Sequence, residues 1–315
     1  MRKSFLLMMM LSACLCVSCG QESKEDVNVV NTVESSKPTS VDTLDETNEP
    51  EATVEPEETK EPEATKEPEE TKEPEVTKEP EATKAPEKAP DVSGKEGVGI
   101  EHIINEDAPL IVIDPGHQRH GNSDKEPVGP GSSTMKAKVS SGTAGKWSGL
   151  AEYQVNLMVS IKLRDALLAE GYNVIMIRET HDVDISNAER AVIANEANAD
   201  VFIRVHINSW TDESSEGILT VSPNATNQYC GEIYKDSKYL SDCVLKGMVD
   251  ATGAKNRGVM ETDTMSGINW CEVPVTIVEM GFMSNKEEDL LLATDDYQNK
   301  LVDGMVWGIE KYFGE

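Results

Sequence analysis

Short apolar runs, each closed by a turn or a polar side chain, recur after residue 108 and predict buried strands at 110–114, 173–178, 201–208, 218–221 and 273–279. Between them the apolar positions switch to a helical period. Val155, Val159, Leu163 and Leu167 form one stripe of a helix over about 151–170, which Gly171 stops. A second helix opens at Ser186, where Ser186-Asn187-Ala188-Glu189 has the form of a capping box, and runs to Asn198. A third spans roughly 233–252 and a last one roughly 296–313, with Asn285 capping a short helix ahead of it. Alternating strands and helices predict an α/β fold, a single mainly parallel twisted sheet of about six strands with helices on both faces.

The first hundred residues follow other patterns. Arg2 and Lys3 precede an apolar run over 5–17 that is too short to span a bilayer, as in a secretory signal. Cys14, Cys16 and Cys19 lie in or just after it. Leu11-Ser12-Ala13-Cys14 fits the cleavage box of bacterial lipoproteins, but Gly20 and a polar run follow Cys19 directly, which favours Cys19 as the lipidated residue. The alternative is a plain cleaved signal. A cysteine carrying two acyl chains would anchor the protein to the outer face of the cytoplasmic membrane, in reach of the cell wall. From Glu49 to Lys84 a hexad repeats, as EPEATK at 61–66, EPEETK at 67–72, EPEVTK at 73–78 and EPEATK at 79–84. Proline at every sixth position forbids a continuous helix, and almost nothing apolar is available to bury. The predicted organisation is a lipoprotein-like signal over 1–19, a disordered acidic tether over 20–107 and one catalytic domain over 108–315. Such a tether reaches roughly 50 Å as a coil and about 250 Å fully extended.

Residues 1–100 carry 11 basic and 24 acidic side chains, net −13, and 101–315 carry 18 and 34, net −16. With no basic footprint, nucleic acid is excluded as a partner. Tight adhesion of the head to anionic polymers is also disfavoured, which leaves localisation to the anchor and tether. Nothing in the sequence specifies an oligomer, and a monomer is the expectation. Cys230, Cys243 and Cys271 remain in the domain, an odd count without metal spacing, and are expected as buried thiols, with a Cys230–Cys243 disulfide as the alternative.

His117 and His206 lie at or just past the ends of apolar strands, and in a parallel sheet such ends face one crevice. Glu152, starting a helix after a long loop, and Glu279, closing the strand VPVTIVE, converge on the same edge. A carboxylate closing an apolar strand is costly unless it is paired or bound to a cation. Two histidines and one glutamate make a ligand set for catalytic zinc with a fourth position open for water, and the remaining glutamate would move protons. Taken singly, each assignment is weak, since an isolated strand-end histidine is more often a hydrogen-bonded structural residue. His120 follows Asp-Pro-Gly too closely to share a helix face with His117 and reads as a loop or substrate-edge residue. His102 and His181 are expected to be solvated. Gly129-Pro130-Gly131-Ser132 lacks the lysine and following helix of a phosphate cradle and reads as cleft wall.

Asp114-Pro115-Gly116-His117, Glu152 in LAEYQVNL, the run from Arg178-Glu179-Thr180 to Ala188-Glu189-Arg190, the segment from Ala194 to Asp200, and Val278-Glu279-Met280-Gly281-Phe282-Met283-Ser284-Asn285 resemble the zinc-dependent N-acetylmuramoyl-L-alanine amidases, bacterial cell-wall hydrolases. The likeness covers residues 108–313 with the motifs in the family's order. It implies zinc (Zn2+) as cofactor, held by His117, Glu152 and His206, with Glu279 as the catalytic glutamate and peptidoglycan as substrate. Three departures bear on groove shape: Ile207 stands where a small residue is common, Arg204 where a small or polar one is usual, and the segment 119–149 is longer than in the shortest relatives. The implied reaction is hydrolysis of the amide between N-acetylmuramic acid and the L-alanine of the stem peptide. A non-catalytic wall-binding module and a zinc peptidase cutting within the stem are the competing readings. The first predicts loss of a ligand or of the catalytic carboxylate, and neither is lost.

Overall fold

In the computed structural model, which describes residues 89–314, the apolar runs become the strands of a seven-stranded sheet. Cys14, Cys16 and Cys19 and the hexad repeats lie outside the described residues. The chain runs through β1 (Val98–His102), β2 (Leu110–Pro115), β3 (Asn122–Pro127), β4 (Met135–Val139), α1 (Glu152–Ala169), β5 (Asn173–Arg178), α2 (Asn187–Glu196), β6 (Val201–Asn208) and β7 (Ile218–Pro223). It continues through a 3-10 turn into α3 (Tyr234–Thr252), then β8 (Asn256–Thr262), α4 (Ser266–Asn269), β9 (Val275–Phe282), α5 (Lys286–Leu292) and α6 (Asp295–Phe313). The sheet order is β1-β5-β2-β6-β9-β7-β8, while β3 and β4 form a separate hairpin. The core strands β5, β2, β6 and β9 are mutually parallel, with β1 antiparallel to β5 and β7 antiparallel to β9.

Side chains alternate across the strands and build two cores. Ile111, Ile113, Ile203, Val205 and Ile207 face α1, α3 and α6, where Val155, Val159, Leu163 and Leu167 pack as the stripe requires. Val112, Ile175, Ile177, Phe202 and Ile277 face the shorter α2 and α4. On this second face the apolar side chains give way toward the carboxyl edge to Asp114, Arg204, His206 and Glu279, in step with the two-residue alternation of each strand. The site therefore lies on the face with the thinner helical cover.

Three predicted features are amended. The sheet begins with β1, ahead of the boundary placed at residue 108. The segment 119–149 is no plain loop but carries the hairpin of β3 and β4, with Gly129-Pro130-Gly131-Ser132 at its turn. β8 spans Asn256–Thr262, where no strand was expected. Cys230 and Cys271 are buried and Cys243 is half-buried, all three as free thiols, so the alternative Cys230–Cys243 disulfide is not formed. Burial pushes the Cys230 thiol up to about 12, which makes it an inert packing group.

Candidate active site

β2 ends at Pro115, and the following Gly116-His117 turn lies across the end of β6, where Gly116 N donates to Val205 O at 2.9 Å. His117 adopts a left-handed backbone with φ of 61°. That conformation is uncommon for a side chain with a Cβ and needs support. Two buried arginines supply it. Arg178 donates through Nε to Pro115 O and His117 O, and through Nη2 to Gly116 O and Tyr153 O, at 2.8 to 3.0 Å. Arg190 donates to Pro115 O and His117 O at 3.2 and 3.1 Å and also to Asp114.

Asp114 is itself buried, and Arg204 Nε reaches its second oxygen at 2.9 Å. Burial alone would raise the carboxyl's pKa, but the charges of Arg190 and Arg204 outweigh it and hold Asp114 well below the usual carboxylate range. Sequence reasoning did not single out this scaffold. Its one visible signal was a charged residue inside an apolar strand, as in NVIMIR and VFIRVHIN.

The residues expected at the site converge. Glu152 is the first residue of α1 and is buried. Its Oε2 accepts from Thr143 N at 2.9 Å, and its Oε1 from Ile207 N at 3.1 Å and Asn156 Nδ2 at 3.3 Å. The same Oε1 lies 3.1 Å from His117 Nε2 and 3.3 Å from His206 Nδ1. One donor atom from each of the three residues lies within 4.8 Å of the others. Glycine is required at two points: a Cβ at Gly116 would come within 2.3 Å of the His206 ring, and one at Gly142, whose φ is +81°, within 2.6 Å of Glu152 Oε2.

The donor chemistry fits a metal ion. Ser140 O stands 3.0 Å from His117 Nδ1 and takes its proton as a hydrogen bond, which leaves Nε2 with a lone pair aimed at a carboxylate oxygen. Two acceptors face each other there, and a cation between them resolves the repulsion. Separations of 3.1 and 3.3 Å suit neighbouring ligands of an ion bound at about 2.0–2.2 Å. His206 Nε2 is buried without a hydrogen-bond partner. Burial, with His117 and Arg204 nearby and against the pull of Glu152, lowers the pKa of His206 to about 4. The imidazole is therefore neutral and ready to ligate. Burial alone would raise the pKa of Glu152, but its contacts with His117 and His206 outweigh that and hold the carboxylate ionised.

Glu279 pairs in register with His206 across β6 and β9 and lines a cavity of about 400 Å3 together with both histidines. Its Oε2 is buried, with no hydrogen-bond partner among the described residues. Burial, reinforced by the charge of Glu152 and opposed by Arg204, raises its pKa well above the ordinary carboxylate value. Lys136, Ala137 and Ser140 wall the cavity on the hairpin side, and Met265, Ser266 and Gly267 on the other. The hairpin segment therefore walls the cavity, although Gly129-Pro130-Gly131-Ser132, expected as cleft wall, is not among the residues that line it.

The other histidines stand outside. His120 is exposed, as expected of a loop residue. His102 and His181 are half-buried rather than freely solvated: His102 Nε2 bonds Glu179 Oε1 at 2.7 Å, and His181 packs edge-on against Tyr153 at 5.1 Å. Glu179, just after β5, and Tyr153, on α1, make the contacts that the sequence left open.

Residues 111–311 match the profile of a protein family, Amidase_3, described as N-acetylmuramoyl-L-alanine amidase. The uncharacterised protein YqiI of Bacillus subtilis (strain 168) is 31% identical over 178 residues, 56% of this chain and 80% of its own. The germination-specific N-acetylmuramoyl-L-alanine amidase of the same organism is 28% identical over 223 residues, covering 65% and 80%. The crystal structure of an N-acetylmuramoyl-L-alanine amidase from Clostridium difficile 630 superposes with a TM-score of 0.54 at 27% identity, over 67% of this chain and 99% of that one.

Proposed function

Since the chain belongs to the N-acetylmuramoyl-L-alanine amidase family and is an enzyme of that class acting on peptidoglycan, we propose that it is a zinc enzyme in which His117, Glu152 and His206 hold the metal and Glu279 moves the protons. The observation that carries this reading is the convergence of three metal-type donors within 4.8 Å beside a carboxyl group that has an unpartnered oxygen and faces the same cavity. Zinc supplies Lewis acidity when bound, lowering the pKa of water from 15.7 toward roughly 7 and polarising the scissile carbonyl.

The chain's own groups do the rest. The Ser140 carbonyl and the grip of Arg178 and Arg190 on the 115–117 turn fix the His117 ring, so the donor atom needs no reorganisation. Glu279 takes the proton of the attacking water and passes it to the nitrogen of the leaving L-alanine. Its surroundings raise its proton affinity, which suits a group that must both accept and return a proton near neutral pH. The hairpin and the 265–267 segment flank the peptide on its way to these groups.

The reading extends to the first hundred residues. Cys19 would carry the lipid, and the hexads would let the head work in the wall away from its membrane anchor. Mass spectrometry of the new amino terminus released from a purified muropeptide tests the reaction. Free L-alanine at that terminus supports the amidase reading, whereas a terminus further along the stem identifies a peptidase and overturns it.

A further inference from the structure

Arg204 departs from the residue type usual at its place, and the structure gives that departure a location. Its side chain leaves β6 on the same face as His206 and is 3% exposed. Two of its nitrogens are committed: Nε donates to Asp114 Oδ2 at 2.9 Å and Nη2 to Asn187 Oδ1 at 3.0 Å. Nη1 has no hydrogen-bond partner among the described residues. It lies against Gly267, where a Cβ would come within 1.6 Å, so the guanidinium fits only because residue 267 has no side chain. Arg204 and Gly267 both line the cavity that holds Glu279.

The guanidinium is thus a nearly buried cation, fixed along two edges, with one donor nitrogen left for whatever enters. Lys136 lines the same cavity from β4. Its ammonium donates to Thr264 O and keeps two further N–H groups. Glu279 is the one carboxylate among the described residues of the lining. In a chain of net charge −29, this cleft is locally cationic.

Asp114 supplies one negative charge to the two guanidinium groups of Arg190 and Arg204, so the buried cluster keeps a positive charge that a ligand carboxylate meets with a charge-assisted hydrogen bond. One fixed donor and one flexible ammonium suit the two oxygens of a carboxylate. Resting on the amidase reading above, we propose that Arg204 Nη1 and Lys136 Nζ form an anion subsite for a carboxylate of the peptide stem close to the scissile amide. A free stem carboxylate is then part of what this enzyme selects.

The test uses the full chain loaded with zinc and two muropeptides that differ only in whether the stem carboxyl next after L-alanine is free or amidated. The readout is the ratio of their kcat/KM values. The free form is expected to be favoured tenfold or more by the wild type, on the order of one charge-assisted hydrogen bond. Arg204→Lys should keep part of that preference, and Arg204→Ser should bring the ratio close to one. A purely structural Arg204 would slow both substrates alike and leave the ratio unmoved, which overturns the proposal. Lys136 is exposed, so Lys136→Ala carries the same test should Arg204→Ser fail to fold, and its ratio is expected to fall as well. A wild-type ratio near one, with both muropeptides cut, overturns the subsite and leaves the amidase reading standing. Failure to cut either overturns both.

Discussion

Glu279 and Asp114 are carboxyl groups near the ends of apolar strands, and opposite surroundings give them opposite protonation. Glu279 has an unpartnered oxygen and a raised pKa, whereas Asp114 faces two guanidinium groups and stays ionised. Glu279→Gln keeps the shape and removes the proton acceptor. Turnover of a muropeptide should fall by about 10²–10⁴-fold with zinc content unchanged, and undiminished turnover would remove Glu279 from the chemistry. Asp114→Asn leaves Arg190 and Arg204 buried without their anion, a loss that costs about 3–5 kcal/mol in comparable cases. Denaturant unfolding reads that cost. At this scale the sequence was informative where a residue's chemistry and its position at a strand end coincided, as for His117, His206 and Glu279. It assigned no role to Arg178 and Arg190, which stood only at the ends of a family-like run, because a charge written in a sequence looks the same whether it faces water or clamps backbone carbonyls.

α2 shows how an element serves the site without touching substrate. Ser186 Oγ accepts from Glu189 N, and Glu189 returns a bond to Ser186 N, closing the capping box that the sequence announces. That cap fixes the start of the helix that delivers Arg190 to the His117 turn. Ser186→Ala should lower stability by about 1 kcal/mol, seen as a lower melting temperature. The strands and long helices were legible because their apolar faces repeat with period two or 3.6. β1, β8 and the hairpin were not. Asn122–Pro127 and Met135–Val139 are mostly exposed, with five lysine or acidic side chains from Asp124 to Lys138 and little apolar surface to bury. β8 is an edge strand in which polar residues dominate and Gly258 interrupts the run. Backbone pairing alone defines such strands, and hydropathy does not record it.

Across the whole molecule, acid is the condition that sets the buried charges against the fold. Asp114 has a pKa below its unfolded value of about 3.9, so its contribution is fully present above that pH and is lost as pH falls below it. The melting temperature should drop below about pH 4, with little response to salt because the pairs are buried. A flat profile from pH 5 to 2 would contradict the pairing. Cys19→Ser should move the protein from the membrane fraction to the soluble exported fraction. Retention at the membrane would point to Cys14 or to another form of attachment. The central claim joins the metal to the reaction. The measurement that tests it most directly is a titration of zinc into the chelated full chain, reading the release of L-alanine amino groups from sacculi. Release should be absent without metal and reach its plateau at one zinc per chain. Full release from the metal-free chain would contradict the assignment of His117, Glu152 and His206 as the ligands of a catalytic ion.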